Sequence, residues 1–160
     1  MKPVVIAVFV AILVPALLAA QGAKSPVEGV WKVAEVTVTG ANASTNSNPL
    51  PGLYIFTRGY YSVITENGTK ARPSTIGPQS PDKDRLAAYD ALTAQSGTYQ
   101  IKGATLTTRP LVAKNPSVMA ATAEPGVRDF KVEGKTLWLI QKSAAGQPVS
   151  ETRTKLVRVE

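Results

Sequence analysis

The sequence contains no cysteine and no histidine. The first absence excludes disulfides, thiolate-bound zinc and cysteine-held iron–sulfur clusters. The second excludes histidine-ligated metals and any nucleophile activated by an imidazole. Aromatic residues are few, 6% of the chain, and charged residues make up 18%. Lys and Arg outnumber Asp and Glu by 18 to 11, a net charge of +7. The basic residues are scattered, with no run and no stripe interleaved with aromatics. Specific nucleic-acid binding needs such a stripe, so that partner is not expected. Diffuse positive charge reads as solubility or loose attraction to an anionic surface. Hydrophobic residues at 44% of 160 positions describe a globular chain of single-domain size.

One long hydrophobic run is present. Lys2 precedes an apolar stretch from Pro3 to Ala20, and small residues follow around Gln21. A positive start, an apolar middle and a small-residue end form a secretory signal peptide over 1–22. Cleavage is expected after Ala20 or Gly22. The competing reading is an uncleaved anchor, since a run of this length can just span a bilayer. Pro15 and the small-residue end favour cleavage. No cysteine follows, so a lipid anchor there is not expected. The mature chain, 23–160, is then secreted or periplasmic and has no transmembrane segment.

That mature chain reads as short strands joined by tight turns. The first strand is Gly29–Val38. Arg58-Gly59, Lys102-Gly103 and Glu133-Gly134 are turn pairs between β-rich segments. They define hairpins of Leu53–Thr57 with Tyr60–Thr65, Gly97–Ile101 with Ala104–Arg109, and Val127–Val132 with Thr136–Gln141. Glu151–Val159 makes the eighth strand. Segments 40–51 and 110–126 read as loops. Ser80-Pro81-Asp82 reads as N-cap, N1 proline and first-turn acid of one helix of about three turns. The fold class expected is all-β: an eight-stranded antiparallel up-and-down barrel with one short helix. Closure removes exposed edges, and a barrel of this size can enclose one small ligand. A β-sandwich is the alternative.

Several motifs, in order, resemble the bacterial lipocalin-like domain family, a calycin-type barrel. Gly29-Val30-Trp31 supplies a G-x-W at the first strand. The segment Gly52 to Ser62 resembles the family's second hairpin, and Ser96-Gly97-Thr98-Tyr99 its G-T-Y strand. Val127-Arg128-Asp129-Phe130 with Gly134 and Leu137-Trp138-Leu139 resembles its late hairpin. The Thr107-Thr108 strand lacks the histidine many relatives carry, which removes any histidine-dependent activity. In a closed meander the last strand lies beside the first, which brings Arg158 to Trp31. A guanidinium stacked on that indole closes the barrel base, as lipocalins are known to do.

Strand parity nominates a ligand site. Arg128, Phe130 and Val132 face inward, with Asp129 and Lys131 in water. Glu35 shares a face with Trp31 and Val33, so it is expected inside, as a partner for Arg128 or beside it. A bulge in the first strand would turn it outward. An inward arginine either completes an internal ion pair or greets an anionic ligand group in bidentate fashion. Tyr54, Phe56, Tyr99 and Phe130 join Glu35 and Arg128 as candidate ligand-binding residues, or else fill a solid core. Trp138 is placed on the inner or the outer face.

No catalytic set emerges. Ser62, Thr107 and Thr108 have no histidine to activate them. Asp82, Asp84 and Asp90 read as a solvated helix face. No metal, no cofactor and no enzyme activity are expected, although some lipocalin-like barrels isomerise or cyclise their ligands. Asn42-Ala43-Ser44 and Asn67-Gly68-Thr69 match the glycosylation pattern, which matters only in a eukaryotic host. Two functions remain: a barrel that binds a small, largely apolar molecule, and a filled barrel that meets a protein partner or serves the cell envelope.

Overall fold

A computed structural model describes residues 24–144 and 146–159. The segment 1–22, read from sequence as a signal peptide, lies outside them. Nine strands form one antiparallel sheet: β1 Gly29–Val38, β2 Ser44–Asn46, β3 Gly52–Thr57, β4 Tyr60–Glu66, β5 Leu92–Lys102, β6 Thr105–Ala113, β7 Gly126–Glu133, β8 Thr136–Lys142 and β9 Glu151–Arg158. Successive strands pair from β3 to β9, and β1 pairs with both β3 and β9. Eight strands therefore close into an up-and-down barrel. The short β2 pairs with Val36–Val38 and shares one edge of β1 with β3.

The three hairpin turns fall at the expected pairs. Gly59, Gly103 and Gly134 have φ of 84°, 60° and 55°, a region open to glycine at no steric cost. Four differences from the sequence reading have local causes. The loop over 40–51 contains β2. The helix, α1 Asp82–Asp90, starts after Pro81, and Ser80 does not cap it. The Ser80 hydroxyl instead accepts from the Gly77 amide at 3.0 Å. β5 begins at Leu92, because pairing with Thr65 and Glu66 claims residues read as the helix end. β6 runs on through Pro110 to Ala113, past a bulge where Ser96 and Gly97 face Val112 and Pro110.

The two ends of the barrel differ. One end carries the three tight hairpins, the approach to β1 and the end of β9. The other end carries every long connection: 39–51, 67–91, 114–125 and 143–150. The buried core sits in the hairpin half. Trp31, Phe56, Tyr61, Tyr99, Leu106, Leu137 and Leu156 are all buried, with Val27 beneath them. Inward positions of the loop half combine small or polar residues, Thr65, Thr93, Gln95, Ala113, Gly126, Thr152 and Thr154, with Val36 and Val38. None of these is fully buried. Fully buried side chains therefore concentrate toward the hairpin end, and the inward residues toward the loop end are only partly buried.

Candidate functional site

The floor is built first. Trp31 is directly opposite Arg158 across β1 and β9. The Arg158 guanidinium carbon lies 4.0 Å from the Trp31 ring centroid. The indole N–H donates to the Val27 carbonyl at 2.7 Å, and Arg158 Nη1 donates to the Glu28 carbonyl at 2.7 Å. Both polar ends of the stack are thus satisfied, which marks the pair as structural.

Above the floor, Arg128 faces inward from β7, opposite Leu106 on β6. No hydrogen bond or ion pair meets its guanidinium among the described residues. Its charge is nevertheless felt by two neighbours. Burial pushes the Tyr54 hydroxyl above the usual 10.0, and Arg128 works against that rise. Burial also raises Tyr61, opposed by the Thr108 hydroxyl and then by Arg128. Thr108 donates to the Gly126 carbonyl at 3.2 Å, and no hydrogen bond of ordinary geometry reaches the Tyr61 hydroxyl. The buried Tyr99 hydroxyl also has no partner. Tyr99 lies opposite Thr108 in register, and its ring meets Phe56 edge-on at 5.3 Å. Tyr54 stacks on Phe56 at 6.4 Å.

Gly126 makes room for this cluster. A Cβ there would stand 2.7 Å from Thr108 Oγ1 and 4.0 Å from Arg128 Nη1. Most buried polar groups in folded proteins are hydrogen-bonded. An unpartnered Tyr61 hydroxyl within the field of an unpaired guanidinium is therefore an unusual pairing of unused hydrogen-bonding capacity.

The residues nominated from sequence divide three ways. Tyr54, Arg128 and Phe130 face the interior, each partly buried. Phe56 and Tyr99 are buried in the hairpin half. Glu35 is a correction. A bulge between Val33 and Glu35 inserts Ala34 and reverses parity along the rest of β1. Val33 stays opposite the inward Leu156, but Glu35 comes opposite the outward Lys155, and Val36 and Val38 turn in. Glu35 is outside the barrel and does not pair with Arg128. Trp138 also lies outside, with the Lys155 ammonium 5.4 Å from its ring centroid. Tyr61, Thr108 and Gly126 were not nominated as ligand contacts. Parity alone reaches Tyr61, since it faces Phe56 across the Arg58-Gly59 turn.

A concavity of 480 Å³ lies outside the barrel between α1 and the segment 70–76. Its arginine is already matched: Arg72 pairs with Glu66 at 3.5 Å, and its amide donates to the same carboxylate. Among the described residues, no helix is long and apolar enough to cross a membrane, and no acidic or sulfur cluster could hold a metal ion.

No family model, no curated protein and no solved structure matches this chain. Its architecture, an eight-stranded antiparallel barrel with one short helix, is consistent with a calycin-like fold.

Proposed function

We propose that this protein is a secreted or periplasmic lipocalin-like barrel that binds a small, largely apolar molecule inside the barrel. The carrying observation is the division of the interior. Buried apolar side chains concentrate in the hairpin half, whereas the inward residues of the loop half are only partly buried, with Arg128, Tyr54 and Phe130 at the boundary. Ligand sites are commonly apolar cavities with a few placed polar groups, often at the mouths of β-barrels. The order of the G-x-W, G-T-Y and late-hairpin motifs supports the family reading. The apolar run before residue 21 supports the address.

No covalent step is proposed. The unmatched groups are donors suited to holding a ligand, and they include no nucleophile paired with a base. The test is titration of the purified protein with a neutral apolar dye, N-phenyl-1-naphthylamine, followed by fluorescence. Saturable binding at about one dye per chain is expected. No saturable signal with the dye or with straight-chain acids and alcohols would exclude an internal ligand site. The filled-barrel reading would then take its place.

A further inference from the structure

We infer that the molecule held in the barrel carries one carboxylate, and that the Arg128 guanidinium receives it with the Tyr61 hydroxyl as a supporting donor. This rests on the ligand-binding reading above and adds the chemical class of the ligand.

The charges inside the barrel do not balance. Strand register fixes which residues face inward, and two of these are cations: Arg128 and Arg158. Arg158 is engaged on Trp31 and the Glu28 carbonyl. No carboxylate faces inward from any of the eight barrel strands. Glu35 is opposite Lys155 outside, and Asp129 pairs with Lys142 at 2.8 Å on the outer face. Glu133 pairs with Lys131, and Glu151 pairs with Arg153, also outside. Glu66 follows the inward Thr65 and pairs with Arg72. Arg128 is thus the one interior charge among the described residues with no protein group to answer it.

An inward guanidinium without a counter-charge is unfavourable unless solvent or a ligand meets it. One positive charge is matched by one negative charge, which selects a monoanion over a phosphate monoester. The planar fork of two N–H groups matches the two oxygens of a carboxylate. A carboxylate offers further lone pairs, and the unpartnered Tyr61 hydroxyl is a donor of the needed kind. The bare Gly126 lets Thr108 Oγ1 approach its backbone next to Arg128: a Cβ there would lie 2.7 Å from that hydroxyl and 4.0 Å from Arg128 Nη1. The apolar body of the ligand then lies along Phe130 and Tyr54, toward the loop end.

The experiment compares matched pairs of straight-chain ligands, hexanoate to dodecanoate against the corresponding alcohols. Each is titrated below its micelle concentration by calorimetry and by displacement of the neutral dye. The acid of the best-fitting length is expected to bind about 10- to 100-fold more tightly than its alcohol, the range of a charge-assisted hydrogen-bonded pair. Arg128→Met is expected to bring the acid-to-alcohol affinity ratio down to about one. Equal affinity of acid and alcohol, with the dye still bound, overturns the carboxylate inference and leaves the cavity reading intact. Failure of dye, acids and alcohols alike overturns both. The acid-to-alcohol ratio in the unmodified protein decides the matter even if Arg128→Met does not fold.

Discussion

The Arg158 guanidinium lies 4.0 Å above the ring centroid of Trp31, and the two residues are direct cross-strand partners of the first and last barrel strands. The contact joins the ends of the chain's fold and seals the hairpin end of the barrel. A desolvated cation–π contact contributes about 2 kcal/mol, and the bond to the Glu28 carbonyl adds roughly 1 kcal/mol. Arg158→Met is therefore expected to lower unfolding stability by about 2–3 kcal/mol, read from urea denaturation. A change within about 0.5 kcal/mol, the size of an ordinary surface substitution, would show that the stack does not hold the closure.

Gly97 marks a close backbone approach. A Cβ there would lie 2.1 Å from the Arg109 carbonyl oxygen and 2.8 Å from the Pro110 Cα, both of them main-chain atoms. The bulge that carries β6 through Pro110 depends on this bare position. Gly97→Ala is expected to cost roughly 3 kcal/mol or to prevent folding, measured by denaturation against Gly103→Ala as a turn control. Wild-type stability in Gly97→Ala would mean that β5 and β6 are not this close.

Much of the barrel was legible because glycine turns and alternation are local signals. Arg58-Gly59, Lys102-Gly103 and Glu133-Gly134 each required the φ > 0 conformations found there. The clean alternation of Arg128, Asp129, Phe130 and Lys131 placed the arginine inside. Glu35 was misplaced because parity is inherited from the strand start, and a single inserted residue, Ala34, reverses it. Nothing in Val33-Ala34-Glu35 announces the bulge except the inward Val36 and Val38 beyond it. The helix was located by Pro81-Asp82, yet its apolar spacing was misleading: Leu86 and Tyr89 are exposed. Tyr89 instead donates to the Lys114 carbonyl at 2.7 Å, a tertiary contact invisible to periodicity.

The position of Glu35 yields a prediction opposite to the one its sequence parity suggests. As an outer-face residue beside Lys155, Glu35→Gln is expected to leave ligand affinity unchanged. Its effect on stability is expected to stay within about 0.5 kcal/mol, as for ordinary outer-face substitutions. Calorimetric titration and urea denaturation check both. A tenfold loss of acid binding would return Glu35 to the interior.

Tyr54 and Tyr61 report on the interior at alkaline pH. Burial raises both hydroxyls above 10.0, and Arg128 opposes the rise. Folding therefore favours their protonated forms. The associated stability is fully present below the unfolded value near 10 and is lost as pH climbs through the raised folded values. Arg128→Met removes an opposing charge, so the latest tyrosinate absorbance steps are expected to move to still higher pH. Steps that stay in place or move down would put Arg128 away from these hydroxyls.

The most direct measurement is a native mass spectrum of the protein purified from the cells that make it, run beside Arg128→Met. The expected result is a reproducible added mass on the wild-type chain that is lost on denaturation. That mass should extract as a small organic acid and be absent or reduced in Arg128→Met. A bare wild-type mass, together with no saturable binding of the neutral dye or of the acid and alcohol series, would contradict a ligand site inside this barrel.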